Sequence, residues 1–323
     1  RSGTTMLGRI LNNHSKIKIF NELHFFGQLW TSFDSKKKLT QEESVFLFSK
    51  LLCIQDQGIF TQVKVSNFHK ESESFLQNKE FTSLEVFELF LEKLSIKNNS
   101  TISCEQTPSN VFYINEILEN FPNAKIINMV RDPRDVLLSQ KNKWKRRYLG
   151  ALDIPLIESI RSYFNYHPIT ISKIWNSSIN AAEKYKDNKR LYSVKYEDLL
   201  LNSKKELHDL CFFLGIDYCE KMLDIPNVGS SLSVDEIQNF GVDESKINKW
   251  KRGGLSKSEI YISQKMCSEN MRLFNYKSNY QIAIPLLIFI YLITFPIKIV
   301  VSFIFNFHRV RNFKELINKR ILK

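Results

Sequence analysis

The stretch KIINMVRDPRDVLLS, residues 125–139, decides the fold. Its first six residues form an apolar run bounded by turn residues on both sides, which predicts a buried strand. Asp132 is a good N-cap and Pro133 a good first helical residue, so we expect a helix from about Pro133 towards Trp144. A strand that passes directly into a helix is typical of an α/β fold.

The same alternation continues along the chain. Helical spacing of apolar residues covers 4–13, 42–54 and 83–96, and a helix is expected at 109–120. The run RLYSVK, residues 190–195, is a second strand candidate, followed by a helix to Leu214. Strands that alternate with helices predict a parallel β-sheet with helices on both faces. Ligands of such sheets bind at the carboxyl ends of the strands.

The first candidate site is the opening run Arg1-Ser2-Gly3-Thr4-Thr5, which leads directly into a predicted helix. Gly3 permits a tight turn and close backbone approach, and the helix start offers free N–H groups to an anion. Ser2, Thr4 and Thr5 add hydroxyl donors, and Arg1 adds a fixed charge. A nucleoside-triphosphatase loop would carry Lys after its last Gly, whereas Thr follows here. The run therefore predicts a phosphate site of another kind, or an ordinary capped helix start.

The second candidate site lies in the opening stretch. Arg131 ends the predicted strand, and Ser139 follows about two turns into the helix, so that both can reach one phosphate. Lys143 is expected one turn beyond Ser139 on the same helix face. Arg134 and Asp135 are interpreted as a structural ion pair near the helix start. The alternative is a helix whose charges are only solvated.

Together these motifs resemble the sulfotransferase superfamily. Its 5′-phosphosulfate loop reads R/K-S-G-T-T, and its 3′-phosphate motif spans R-x7-S within a V-R-D-P-R-D-like run; both occur here in that order. Three further runs are similar to family segments, namely FPNAKII (121–127), KYEDL (195–199) and INKWKRGGLS (247–256). The resemblance extends from Arg1 to about Phe274. It is closest to the carbohydrate, lipid and protein-tyrosine branch, in which a glutamate follows the loop at the spacing of Glu22.

The resemblance implies a P-loop-like sulfotransferase that uses 3′-phosphoadenosine 5′-phosphosulfate (PAPS) as co-substrate and needs no metal. Glu22 would be the general base, with His24 as the alternative. Arg1 would stabilise the charge that develops on the leaving phosphate. Arg131 and Ser139 would hold the 3′-phosphate. Further nucleotide contacts are expected at Lys143, Tyr196, Lys251 and Arg252. Trp250 would support a closing loop or simply pack.

Two departures from the family pattern stand out. Many relatives carry E-K-T-P where this chain has Glu105-Gln106-Thr107-Pro108. Gln106 can donate a hydrogen bond but carries no charge to offset a developing negative oxygen. The strand expected before the phosphate loop is missing from this sequence, so we expect a fragment.

Composition limits the partners only loosely. The sequence has 323 residues, of which 43% are hydrophobic and 25% charged, with a formal net charge of +12. This charge suits anionic ligands, nucleic acid or an anionic membrane surface. On the motifs we predict no nucleic-acid partner. The five cysteines are dispersed and predict neither a disulfide framework nor a zinc site.

The C-terminal end differs from the rest, because residues 282–307 are almost wholly apolar. The uninterrupted run before Lys298 is marginal for spanning a bilayer. An in-plane or re-entrant anchor, a spanning helix and a buried core element remain open. We expect a sulfotransferase domain at 1–278 and a membrane-associated segment at 279–323. A bacterial-type cytoplasmic location is favoured over the Golgi lumen, since PAPS is made in the cytosol.

The acceptor is expected to bear a hydroxyl on a glycan, a lipid or a protein tyrosine. Residues 25–103 are expected to line the acceptor side, because they separate the two nucleotide motifs. They are rich in Phe and mixed in charge, which does not distinguish a sugar, a lipid or a peptide. Two other functions are kept open. One is a nucleotide kinase or triphosphatase on a related fold. The other is a non-catalytic, nucleotide-binding membrane protein, which the uncharged Gln106 favours.

Overall fold

A computed structural model describes residues 2–58, 63–77, 79–152, 154–226, 240–279, 282–309 and 311–320, with the backbone alone at 308, 313, 316 and 320. The chain divides into two compact units. The small unit comprises Thr4–Pro122 and Arg309–Ile317. The large unit comprises Arg1–Gly3, Asn123–His308 and Asn318–Lys323.

The structure is a mixed α/β fold that is rich in helices. The strands are β1 (Ile17–Ile19), β2 (Ile102–Cys104), β3 (Ile126–Val130) and β4 (Leu191–Lys195). The helices are α1 (Thr4–Asn12), α2 (Gln41–Gln57), α3 (His69–Leu76), α4 (Ser83–Lys97), α5 (Ile114–Asn120), α6 (Pro133–Lys141), α7 (Leu156–Phe164), α8 (Pro168–Glu183), α9 (Tyr196–Leu201), α10 (Ser203–Leu214), α11 (Lys257–Leu273), α12 (Pro285–Asn306) and α13 (Phe313–Arg320).

In the large unit β3 and β4 pair in parallel, with Ile126 opposite Leu191 and Val130 opposite Lys195. Both strands were predicted from their apolar runs. Parallel partners need a long crossover, which the helices α6 to α8 provide. Val130 is buried against Trp175 of α8 and Met271 of α11. This packing fixes the carboxyl end of β3, where the stretch quoted first passes into α6.

In the small unit β1 and β2 form a second parallel pair, with Ile17 opposite Ile102. The prediction of one larger parallel sheet needs correction here. In the described ranges the four named strands form two separate two-stranded sheets, one in each unit. The strands of the small sheet have three residues each, too few to give an alternating pattern in the sequence.

The helix after β3 is shorter than predicted. It ends at Lys141, because Asn142 leaves the helical conformation with φ −98° and ψ 4°, and its side-chain amide donates to the Leu138 carbonyl oxygen at 3.0 Å. A 3₁₀ segment, Lys143–Leu149, follows. The N-terminus of α6 is as predicted, since the Asp132 carboxylate caps this helix by accepting from the backbone N–H of Arg134.

The small unit is built around aromatic side chains. Phe25 stacks on Phe87 with ring centroids 4.0 Å apart, and Phe48 contacts Phe90 edge to face. All four are buried. The abundance of Phe in residues 25–103 therefore reflects in large part the hydrophobic core of this unit.

Candidate active site

The predicted phosphate loop forms a tight turn at Gly3, whose φ is 96°. A Cβ atom at this position would collide with the ring of Tyr196. Glycine is therefore required both by the backbone and by the close contact. Helix α1 begins at the next residue, Thr4, which is half-buried, as is Ser2; Thr5 is exposed. Arg1, the predicted catalytic cation, lies outside the described residues.

Tyr196 joins the two predicted nucleotide motifs within the large unit. It follows β4 directly, is buried, and has the Gly3 turn against one part of its ring. The guanidinium of Arg131, which follows β3 directly, lies 4.2 Å from the ring centroid. Two neighbouring parallel strands thus end at one place, as the prediction of a site at their carboxyl ends requires. The Gly3 turn lies at that same place.

Arg131 is held on several sides but keeps one donor unused. Its Nη2 donates to the carbonyl oxygen of Lys246 at 3.0 Å and lies 3.7 Å from the Asp135 carboxylate. Burial raises the pKa of Asp135. The Nε of Arg131 is buried and has no hydrogen-bond partner among the described residues. A buried donor without a partner is costly, and an incoming anion would satisfy it.

Arg134 pairs differently from the prediction. Its Nη2 lies 2.6 Å from the carboxylate of Asp132, not of Asp135, and Nη1 donates to the side-chain oxygen of Gln264 at 2.8 Å. The guanidinium also stacks over the Trp250 ring at 4.0 Å. Arg134 therefore has a structural role, as predicted, but its ion-pair partner is Asp132 and not Asp135.

The late loop packs against α6 through Trp250. The backbone N–H of Trp250 donates to Asp135 at 2.9 Å, and the buried indole contacts Leu138 and Ile260. Trp250 thus has a packing role, one of the two alternatives for this residue. Lys251 lies 5.7 Å from the indole centroid, and Arg252 donates to the Ser245 carbonyl oxygen.

Lys249 was not singled out from the sequence. Burial lowers its pKa below the usual lysine value. The positive charges of Lys246, Arg131 and Arg252 lower the pKa further, against one opposing acid, Asp243. Lys246, Lys249, Arg131 and Arg252 thus form a basic group, with Asp243 and Asp135 as nearby acids, and such a group favours the binding of an anion.

The other two predicted contacts of the 3′-phosphate region are Ser139 and Lys143. Ser139 lies in α6 and is half-buried. Lys143 was expected one turn further on the same helix. Because α6 ends at Lys141, Lys143 instead begins the 3₁₀ segment, and the argument from helix spacing does not apply to it.

The predicted base lies in the small unit, in the loop that follows β1. The Glu22 carboxylate and Nε2 of His24 are 3.5 Å apart, with 43% and 23% of their side chains exposed. His24 adopts a left-handed conformation with φ 52°. This conformation is strained in a residue other than glycine, and such strain is found at functional sites.

The residues after β2 hold this loop in place. The backbone N–H of Leu23 donates to Glu105 at 3.1 Å, and that of His24 donates to the Thr107 hydroxyl at 3.0 Å. Thr107 in turn donates its hydroxyl to Glu105, which also accepts from Asn110. Burial raises the pKa of Glu105. The sequence offered only the family motif as a signal for Glu105, and its contact with Leu23 spans 82 positions.

Gln106, the residue that replaces the family lysine, lies against α1 in the small unit. A Cβ atom at Gly8 would lie 2.6 Å from its side-chain oxygen. That oxygen is buried and has no hydrogen-bond partner in the part of the chain that the structure describes. Gly8 therefore leaves room for a side chain of this length at position 106.

Residues 1–220 match the sequence model of the sulfotransferase family. The chain belongs to the sulfotransferase family. The match includes Gly3, Glu22, Arg131, Ser139 and Tyr196 but not the loop around Trp250.

One solved structure supports this assignment in fold, and two others were also found. A sulfotransferase domain from the curacin biosynthetic pathway superposes with a TM-score of 0.51 at 19% identity, covering 86% of this chain and 95% of that domain. The sulfotransferase domain of an olefin synthase from Synechococcus PCC 7002 gives 0.47 at 18% identity, covering 83% and 90%. Sulfotransferase STF9 from Mycobacterium avium gives 0.43 at 13% identity, covering 87% and 76%. The comparison with curated protein sequences found no match.

Proposed function

We propose that this sulfotransferase transfers a sulfuryl group from PAPS to a hydroxyl-bearing acceptor, with residues 1–278 as the catalytic domain. The observation that carries the proposal is the contact of Tyr196 with both the Gly3 turn and Arg131. It joins two separate phosphate motifs in one unit. A nucleotide that carries phosphate groups at both its 3′ and 5′ positions is the ligand that needs two such motifs.

In this proposal the large unit binds the nucleotide. Arg131 donates to the 3′-phosphate through its buried Nε, and Ser139 adds a hydroxyl bond. The Gly3 turn and the start of α1 offer backbone N–H groups to the 5′-phosphosulfate. Lys249 and Arg252 supply positive charge. Arg1, Ser2, Thr4 and Thr5 remain proposed contacts of the loop, and Lys143 and Lys251 remain proposed contacts from the outer side.

Glu22 is the proposed proton acceptor. Glu22 removes the proton from the acceptor hydroxyl as the oxygen attacks sulfur, and its exposed fraction leaves it open to a substrate. His24, 3.5 Å away, orients the carboxylate or takes the proton in its place. Glu105 acts as a positioning residue, because it holds the backbone between the two side chains.

Sulfuryl transfer also changes the charge on the donor, and the site must stabilise that change. Negative charge grows on the bridging oxygen of the donor, and positive side chains and backbone N–H groups must stabilise it. Gln106 offers a neutral donor where many relatives carry a lysine. We therefore propose that Arg1 carries the larger share of this stabilisation. A glycan, a lipid or a protein tyrosine can supply the acceptor hydroxyl.

Membership of the family weighs against a nucleotide kinase or triphosphatase. The non-catalytic alternative has Gln106 in its favour, and the paired Glu22 and His24 against it.

The test is calorimetric titration of the protein with adenosine 3′,5′-bisphosphate, AMP and ATP without magnesium. We expect the bisphosphate to bind at least about tenfold more tightly than AMP, since one charged hydrogen bond contributes roughly 1.5–3 kcal/mol. Arg131→Ala should remove most of that preference. Arg272→Ala, an exposed arginine on α11, is the matched control and should leave it unchanged.

Two results would contradict the proposal. One is tighter binding of ATP than of the bisphosphate, with a further gain in ATP affinity when magnesium is added, as is typical of enzymes of phosphoryl transfer. The other is a bisphosphate affinity that Arg131→Ala and Arg272→Ala leave equally intact.

A further inference from the structure

The apolar C-terminal helix α12 is amphipathic in the reverse sense to a helix of a water-soluble protein. It is the one helix in the described ranges that is long and apolar enough to cross a membrane. Its half-buried positions recur every three to four residues and include all of its polar side chains: Tyr291, Thr294, Lys298, Ser302 and Asn306. Its polar side thus faces the protein, and its exposed side is apolar.

Near both of its ends, α12 forms hydrogen bonds with other helices of the large unit. At the start, the hydroxyl of Ser258 donates to the carbonyl oxygen of Ile284, the N-cap residue, at 3.2 Å. At the end, Arg161 Nη1 donates to the Asn306 side chain at 2.8 Å.

Contacts also cover the middle of α12. Thr294 Oγ1 lies 3.4 Å from Nε2 of the buried His167. Further along, the ring of Phe305 stacks on that of Phe164, with centroids 5.2 Å apart. A helix of this length is about 33 Å long, and contacts with one unit extend along all of it. A helix that crossed a bilayer away from its domain would lack these contacts.

The exposed side of α12 continues onto α7. On α12 it presents Phe289, Ile290, Ile293, Ile297, Val300 and Ile304. On α7 the exposed residues Leu156, Ile157, Ile160 and Tyr163 follow helical spacing. The two helices contact each other at Tyr163, whose ring lies 5.2 Å from Lys298 of α12. An exposed apolar area of this kind marks an interaction surface.

Basic and aromatic residues border this surface. Trp144 contacts Tyr163 with centroids 5.9 Å apart, and the exposed Lys145 lies 5.7 Å from the Trp144 ring. The segment 143–149, KWKRRYL, contains four basic residues and no acidic one. At another point Lys173 lies 5.7 Å from Phe295 of α12. Aromatic rings and lysines beside an apolar face match the headgroup region of an anionic bilayer.

We infer that α12 and the exposed face of α7 form one lipid-binding surface, on which the large unit rests in the plane of an anionic bilayer without crossing it. Of the three possibilities for the C-terminal end, this favours the in-plane anchor. The inference does not depend on the proposed donor or acceptor.

The first test is co-sedimentation of the full chain with vesicles. Vesicles of phosphatidylcholine with about a quarter phosphatidylserine should bind the protein, and the double variant I293E/I297E should bind at least about tenfold less. The matched control is Phe212→Glu, an 89% exposed phenylalanine on α10 of the same unit, which should bind as the parent does. Lys145→Ala should weaken binding to the anionic vesicles by about fivefold and leave binding to pure phosphatidylcholine unchanged.

The second test decides between lying in the plane and spanning. Cysteines placed at Ile282 and Phe307, on either side of α12, are treated with a membrane-impermeant maleimide after the protein has bound sealed vesicles from outside. Both should be labelled without detergent, above the background of the parent protein. Protection of either cysteine until detergent is added would overturn the in-plane arrangement.

Two further results would overturn the inference as a whole. One is vesicle binding that I293E/I297E and Phe212→Glu affect equally. The other is a dimer in detergent-free buffer that I293E/I297E converts to a monomer, with no vesicle binding by the parent, because the apolar face would then be covered by a second copy. Circular dichroism and thermal unfolding of each variant verify that it is folded.

Discussion

The two parallel strand pairs of this protein have the same architecture but carry side chains of different chemistry just after their carboxyl ends. In the large unit β3 and β4 are followed directly by Arg131 and Tyr196, with Lys249 nearby in the late loop. In the small unit β1 leads to Glu22 and β2 leads to Glu105. An arginine suits the binding of a fixed anion, whereas a partly exposed glutamate suits the acceptance of a proton.

Burial separates the two ends as clearly as side-chain chemistry does. The Arg131 side chain is 11% exposed and packed by an aromatic ring, while that of Glu22 is 43% exposed. A group that holds a nucleotide phosphate gains from low solvent exposure, because charged hydrogen bonds are stronger there. A general base must be exposed, because each new acceptor molecule has to reach it. The comparison predicts that substitutions at one end alter binding and at the other end alter turnover.

The largest effect is expected for Glu22→Gln. Without a general base the rate of sulfuryl transfer should fall by about 10² to 10⁴-fold. The affinity for adenosine 3′,5′-bisphosphate should stay within about twofold of the parent value. Turnover is measured with ³⁵S-labelled PAPS and a panel of lipid, glycan and tyrosine-peptide acceptors. Equal losses of turnover and bisphosphate affinity would erase the distinction between the two ends.

Glu105→Gln should produce the next largest effect. The carboxylate accepts from Leu23, Thr107 and Asn110, and a glutamine has one oxygen in place of two. The loop that carries Glu22 should shift, and misplacement of this kind costs up to about 10²-fold in turnover. The free energy of unfolding should fall by about 1–3 kcal/mol.

A purely structural role for Glu105 would leave a different pattern. As a positioning residue it should lower kcat, leave bisphosphate affinity unchanged, and shift the acidic limb of the pH–rate profile, which reports the base. A variant that loses stability but keeps both kcat and the pH profile of the parent would refute the positioning role.

A smaller effect is expected for Arg131→Lys. The charge remains, but the planar guanidinium that stacks on Tyr196 and reaches a phosphate through Nε is lost. We expect bisphosphate affinity to fall by about tenfold, with kcat at saturating PAPS nearly unchanged. Calorimetry and steady-state kinetics on the same sample measure both. Retention of full affinity would mean that charge alone holds the nucleotide.

The smallest effect should come from Lys249→Ala, with about a threefold loss of bisphosphate affinity that diminishes as salt is added. Burial and neighbouring cations depress the pKa of Lys249, and a bound anion would raise it again. Binding should therefore take up a proton, so that affinity falls as the pH rises towards the usual lysine pKa. That pH dependence should be weaker in the variant, and an unchanged dependence would exclude Lys249 from the site.

Local signals allowed part of this structure to be predicted from the sequence. The apolar run of β3 and the Asp132–Pro133 start of α6 depend on residues next to one another, and both were predicted. The Gly3 turn was found for the same reason. The chemical candidates Arg131 and Glu22 came from motif spacing, which indicates chemistry but not contacts.

The remainder depended on contacts between distant residues. Strands β1 and β2 are too short for a periodic pattern, and their pairing joins positions 85 apart, as Ile17 and Ile102 show. The pairing of Arg134 with Asp132 in place of Asp135 is a matter of helix-cap geometry. Lys249 was not singled out from the sequence, because it comes near Arg131 only in the folded chain. The two residues are 118 positions apart (249 − 131).

The most direct test of the central claim is a stoichiometry measurement with ³⁵S-labelled PAPS. The protein is incubated with the acceptor panel, and the label in the acceptor and the adenosine 3′,5′-bisphosphate released are counted in one reaction. We expect one labelled acceptor for each bisphosphate formed, and both products about 10² to 10⁴-fold more slowly with Glu22→Gln. Bisphosphate release without labelled acceptor, or labelling that Glu22→Gln leaves intact, would contradict the central claim.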